Sequence, residues 1–164
     1  MDQENNDRIA AVACYTAGRA VAVELLGLGK IKELCLVQDG VRLESAWNIQ
    51  AVDQSALPIL QQVKTFVQFI MAGRAAQEIL LGKYFEAIDG ITAREDFEFC
   101  SNAVGAGLSL GLEATDSFID DQTQEIRALL STPDAFTKLE HLYRALCENI
   151  HCKNRPHLKI VKKP

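Results

Sequence analysis

The chain has 164 residues, of which 48% are hydrophobic and 24% charged, the composition of a globular domain with a real core. Its net charge of −5 is uneven: Lys153, Arg155, Lys159, Lys162 and Lys163 crowd into residues 153–164, leaving 12 basic against 22 acidic residues, or −10, before them. An acidic body argues against nucleic acid as a partner, because binding there rests on neutralising phosphates. The most apolar stretches, 10–28 and 66–81, contain Arg19, Glu24, Arg74 and Glu78, which argues against a membrane span.

Residues 1–7 are polar and acidic, unlike a secretory leader. The five cysteines, Cys14, Cys35, Cys100, Cys147 and Cys152, are odd in number and scattered among apolar neighbours. They read as small buried hydrophobes with free thiols rather than a disulfide framework, so the expected location is cytoplasmic.

Asn6 or Asp7 is placed to cap a first helix reaching to about Leu28, with Ile9, Val12, Ala13, Ala17, Val21 and Leu25 forming one apolar face and Gly27 and Gly29 stopping it. Residues 31–37 and 41–47 are β-prone, and Asp39-Gly40 between them signals a hairpin. After a polar loop over 48–57, Pro58 opens a second helix that continues to about Leu81 and stops at Gly82. Thr92-x-x-Glu95 is a capping-box pattern that starts a third helix, which runs towards Gly111. A fourth helical segment is expected over 118–130. A fifth follows Thr132-Pro133-Asp134 and runs to about Cys152, burying Phe136, Leu139, Leu142, Tyr143, Leu146 and Ile150. The pattern predicts a mainly α fold with one small β-hairpin, as a single domain over 1–152 followed by a basic tail over 153–164.

Three segments carry a resemblance. Residues 13–22 read Ala-Cys-Tyr-Thr-Ala-Gly-Arg-Ala-Val-Ala, residues 71–82 read Met-Ala-Gly-Arg-Ala-Ala-Gln-Glu-Ile-Leu-Leu-Gly, and residues 92–111 open with an acidic turn containing Asp96. In order and spacing they resemble the peptidase domain of the FtsH family of ATP-dependent zinc proteases, over about residues 7–112. The first segment is similar to the family's active-site helix, where His-Glu-Ala-Gly-His-Ala stands in place of residues 15–20. The second is close to the family's Leu-Ala-Gly-Arg-Ala-Ala-Glu-Glu signature. In the third, Asp96 matches the acidic third zinc ligand.

The resemblance implies a helical fold and a zinc cofactor, but the residues for the chemistry are missing. Tyr15 replaces the first histidine and, as a phenol, is a poor zinc ligand at neutral pH. Thr16 replaces the general base and cannot shuttle a proton as a carboxylate does. Arg19 replaces the second histidine and brings a fixed positive charge without a lone pair. No catalytic residue, metal or cofactor is therefore expected, and Tyr15, Thr16, Arg19 and Asp96 mark the vestigial site. Elsewhere, Cys147 and His151 lie four apart on the expected fifth helix, beside Cys152; a chance arrangement at a helix end is the favoured reading over a metal site.

An Arg19–Asp96 ion pair is expected to stand in for the zinc as the link between the first and third helices. Arg74 is expected to pair with Glu78 one turn on, and Gly18 and Gly73 to permit close helix contacts. The family's ATPase module is not present in the chain, since Gly27-Leu28-Gly29-Lys30-Ile31 lacks the spacing and the hydroxyl of a phosphate loop. The leading expectation is a pseudopeptidase with a binding, assembly or regulatory role, acting through self-association or a protein partner. The rivals are a hydrolase with a non-standard site, with Cys14 and Thr16 as the nearest candidate nucleophiles, and a regulatory domain holding a small ligand between Tyr15, Arg19 and Asp96.

Overall fold

The computed structural model describes residues 3–88 and 91–152; the basic tail over 153–164 lies outside the described residues. The elements follow one another as α1 (Gln3–Leu25), β1 (Gly29–Asp39), β2 (Arg42–Ala51), α2 (Ile59–Leu81), β3 (Ala87–Ile88), β4 (Ile91–Thr92), α3 (Ala93–Leu108), α4 (Leu112–Leu130), α5 (Pro133–Glu148) and β5 (Ile150–Cys152). The fold is mainly α with a small antiparallel hairpin, as the sequence predicts.

α1 is the hub. It packs against α2, α4, α5 and the β1–β2 hairpin, and every residue from Ala11 to Gly18 is buried. The single apolar face expected of it is too narrow a description, because neighbours surround the helix and small residues let them approach. The helix also ends earlier than expected, at Leu25. Gly27 takes φ 67°, and the Leu28 and Gly27 N–H groups donate to the Val23 and Glu24 carbonyls, a glycine-closed helix end that satisfies carbonyls otherwise left bare.

β1 and β2 are longer than the sequence suggests and pair from Gly29↔Ala51 to Asp39↔Arg42. The turn is Gly40-Val41, with Gly40 at φ 59°. α2 runs as expected, to a left-handed Gly82 whose N–H donates to the Glu78 carbonyl. The capping box of α3 is complete: the Glu95 N–H donates to Thr92 Oγ1 at 3.0 Å, and the Thr92 N–H donates to Glu95 Oε2 at 2.9 Å.

Three expectations need correction. α4 begins at Leu112, earlier than 118, because Ser109 breaks α3 at φ 53° and Gly111 starts the next helix at once. A two-residue strand pair, β3–β4, precedes α3 and was not foreseen. α5 stops at Glu148 rather than at Cys152, and residues 150–152 form a strand parallel to β1, pairing Leu36↔Ile150 to Gln38↔Cys152. The edge of β1 offers backbone partners that a final helical turn lacks, and β-branched Ile150 suits a strand. The sheet order is therefore β2-β1-β5.

The apolar interior has two parts. The larger joins α1, the hairpin, the 72–76 stretch of α2, α4 and α5, with Leu36, Leu130, Leu139 and Ala17 fully enclosed. The smaller lies between α2, α3 and α4 around Val67, Cys100, Val104 and Ile119. Asp96 sits on α3, immediately before this second cluster, and faces α1 and α2.

Candidate functional site: an ion-paired centre on α1, α2 and α3

Three side chains from α1 and α2 meet at Asp96 of α3, which is only 2% exposed. The Tyr15 hydroxyl donates to Asp96 Oδ1 at 2.8 Å and lies 3.0 Å from Oδ2. Arg19 Nη2 donates to Oδ1 at 3.0 Å, and Arg74 Nε donates to Oδ2 at 3.0 Å. A carboxylate has about four lone-pair sites. Three protein donors, the single phenol proton and one N–H from each arginine, therefore take up three of those sites and leave neither oxygen without a partner.

Each partner is fixed in turn. Arg19 Nη2 also donates to the Ile70 carbonyl at 3.2 Å, and its guanidinium lies 4.4 Å from the centre of the Tyr15 ring and 5.4 Å from that of Phe69. Arg74 donates to the Phe85 carbonyl and sits 5.0 Å from the Tyr15 ring centre. The phenol is thus flanked by two cations whose attraction for its ring adds to their attraction for Asp96. Burial pushes the Tyr15 hydroxyl well above the ordinary phenol value; the two arginines oppose the rise, and the neighbouring Asp96 carboxylate adds to it. The phenol therefore stays protonated and donates.

Glycines make the approach possible. A Cβ at Gly18 would stand 2.4 Å from the Ala72 carbonyl oxygen, and one at Gly73 would stand 2.5 Å from Tyr15 Cδ2. α1 and α2 touch backbone to backbone at Gly18, and Tyr15 lies flat against α2 at Gly73. Both glycines thus serve the close contacts expected of them.

The Arg19–Asp96 ion pair is present as the sequence predicts. Arg74 differs: its carboxylate is Asp96, and Glu78 pairs with Arg127 of α4 at 2.7 Å. Four residues apart, the two lie on neighbouring parts of one side of α2. Glu78 is taken by Arg127 of α4, while Arg74 reaches Asp96 of α3 and the Tyr15 ring of α1. Thr16 is buried, with 1% exposure, but is not among the residues that meet at Asp96. Cys14 is fully buried, and burial, with Cys147 nearby, pushes its thiol far above the ordinary value. Since α5 ends at Glu148, Cys147 and His151 do not share a helical face as expected. Among the described residues, no three His, Cys, Asp or Glu side chains are grouped as a metal would need.

Sequence reasoning missed Gln77, which is completely buried. Its amide donates to the Ala11 carbonyl at 2.9 Å, and its oxygen accepts from the Phe85 N–H at 3.2 Å. Together Arg74 and Gln77 hold the segment after α2 by both polar groups of Phe85, one turn behind the centre. The available signal was spacing: Gln77 lies one turn after Gly73 and Arg74, on the inward side of a helix rich in alanine.

No protein-family model matches the sequence, and none of the curated proteins compared with it does so.

Proposed function

We propose that this chain is a non-catalytic relative of the FtsH peptidase domain, a pseudopeptidase that binds or assembles rather than cleaves. One observation carries the reading: the position that resembles a zinc ligand, Asp96, is hydrogen-bonded at both oxygens by Tyr15, Arg19 and Arg74. Two of these donors, Tyr15 and Arg19, occupy the two positions that match the family's histidines. A phenol and a guanidinium thus take over the cross-link between α1 and α3 that a metal makes in an active member of the family. An ion pair of this kind can fix geometry, but it offers no activated water.

The state of the nearby groups supports the same reading. Cys14 and Thr16, the candidate nucleophiles, are buried, and the Cys14 thiol is held protonated. A thiol without thiolate character is a poor nucleophile. We place the chain's action in the cytoplasm, through self-association or a protein partner, and without a cofactor. Among the described residues no helix is long and apolar enough to cross a membrane.

Reversion is the decisive experiment. The triple variant Tyr15→His, Thr16→Glu, Arg19→His restores the family's ligand set around Asp96 and is expected to bind one zinc ion per chain, while the unaltered protein binds none. Zinc content by plasma mass spectrometry, on protein purified without a metal column, measures both. A folded triple variant that takes up no zinc removes the family reading, and zinc in the unaltered protein removes the claim that the site is lost.

A further inference from the structure

On the far side of α1 from Asp96, a second feature stands apart from the ion-paired centre. β5 covers one edge of β1, but only from Leu36 to Gln38. Over Ile31–Leu34 that edge has no strand partner among the described residues, and a pocket of about 280 Å³ opens beside it. Ala20, Val21, Leu142 and Ala145 form its floor, while Glu24, Lys32, Glu33, Lys138 and His141 stand around its mouth. A cavity of ~150 Å³ takes up a benzene molecule, so this one accommodates two branched apolar side chains.

An unpaired strand edge above an apolar trough is the arrangement that accepts an extended peptide, with its backbone on the edge and alternate side chains in the trough. β5 already shows what this edge takes, a parallel strand led by Ile150. The sequence contains one further segment of matching character. Residues 157–162 read His-Leu-Lys-Ile-Val-Lys, in which Leu158 and Ile160 fall on one side of a strand and Lys159 on the other. The segment is basic, whereas the body before it carries −10 from 12 basic and 22 acidic residues, so attraction between the two favours encounter.

A chain's own tail is badly placed to fill its own trough. β5 runs parallel to β1, from the level of Leu36 to that of Gln38, and so leads away from Ile31–Leu34. To reach Ile31–Leu34 on the same edge, the chain would have to reverse direction and pass back beyond the level of Leu36. We propose that the tail of a second copy docks as a strand on the Ile31–Leu34 edge of β1, with Leu158 and Ile160 in the trough, and that two copies exchange tails to form a symmetric dimer. The exchange is reciprocal, as a two-fold interface requires. It does not depend on whether the centre at Asp96 is catalytic.

Sedimentation velocity of the full chain from micromolar to millimolar concentration tests the proposal. The expected result is a monomer–dimer equilibrium that is lost in Leu158→Asp/Ile160→Asp and in Ala145→Phe, which fills the trough. Should Ala145→Phe fail to fold by circular dichroism, His141→Phe on the exposed rim replaces it. A fluorescent peptide of residues 153–164 is expected to bind the Leu158→Asp/Ile160→Asp chain, at least tenfold more weakly once the trough is filled. A chain that is monomeric throughout overturns the proposal, as does a dimer indifferent to both changes. Peptide binding unaffected by the filled trough also overturns it, because the tail is then held by charge alone. So does an apolar naphthalene dye that occupies the trough and that the peptide does not displace, which makes the trough a small-molecule pocket.

Discussion

The ring of Tyr15 rests on the backbone of Gly73, so close that a Cβ at 73 would fall 2.5 Å from Cδ2 and 2.7 Å from Cε2. Gly73→Ala therefore forces the ring, and with it the hydroxyl on Asp96, to move. The expected cost is about 1–3 kcal/mol, the range for overpacking a filled interior. Gly105→Ala is the control: a Cβ there meets nothing within 4 Å, and the change in a helix interior is expected to stabilise by roughly 0.5–1 kcal/mol. Urea denaturation of both variants reads the contrast, and equal behaviour would remove the steric argument.

Asp96→Asn keeps the shape of the centre and removes its negative charge. Two guanidiniums, one of them on a residue that is 4% exposed, would then face a neutral amide. Breaking a buried pair in this way costs about 3–5 kcal/mol. Tyr15→Phe removes one hydrogen bond to a charged group and is expected to cost about 1.5–3 kcal/mol. The double variant should cost less than the sum, because the second change acts on a contact already lost. Additive losses would show that the hydroxyl does not depend on the carboxylate.

Alkaline pH should unfold the protein gradually. Burial, then the Asp96 carboxylate, pushes the Cys100 thiol from 9.0 to about 12; burial, then Cys147, pushes the Tyr143 hydroxyl from 10.0 to about 12. Tyr15 and Cys14 are raised further still. A group whose folded value is raised contributes stability that is complete below its unfolded value and is lost as pH climbs towards the folded one. Between the two, the unfolded chain binds fewer protons, so stability falls with pH. The denaturation midpoint is expected to hold up to about pH 9 and then decline, with a shallower slope in Cys100→Ala. A midpoint that stays flat to pH 11 would contradict the raised values.

The capping box at the start of α3 sits one residue before Asp96, so it orders the turn that carries the centre's carboxylate. Thr92→Ala is expected to cost about 0.5–2 kcal/mol, and Glu95→Gln much less, because glutamine also closes a capping box. The backbone hydrogen bond from Thr92, followed by its side-chain bond, holds the Glu95 carboxyl below its ordinary value. Stability from that shift is present above about pH 4.5 and is lost as pH falls through the depressed value. Comparing melting curves of Glu95→Gln and the unaltered chain at acid and neutral pH isolates the effect.

Features made within a few residues were legible in the sequence. Thr92 and Glu95 are three apart, and Gly82 closes α2 by a bond to Glu78 of the preceding turn; local sterics and backbone hydrogen bonds decide such features whatever lies around them. Tyr15, Arg19 and Asp96 were found by resemblance to a known motif, and the Arg19–Asp96 ion pair followed from opposite charges at matching positions. Gln77 left only its spacing after Gly73 and Arg74 as a signal, and its partners, the Ala11 carbonyl and the Phe85 N–H, come from other segments that spacing along α2 does not reveal.

The sequence by itself determined the helices, the hairpin and the residues able to form an ion pair, since periodicity, turn chemistry and charge are properties of short segments. Only the tertiary structure decided which charges meet. Arg74 chose Asp96, 22 residues away, over Glu78 at one helical turn, because packing α2 against α1 and α3 turns that side chain inward. The same holds for the end of α5: residues 150–152 satisfy the pattern of a helix, yet the edge of β1 supplies backbone partners that make them a strand. Contacts between distant segments depend on which faces are pressed together, and that is fixed by the whole core at once rather than by any stretch of the chain.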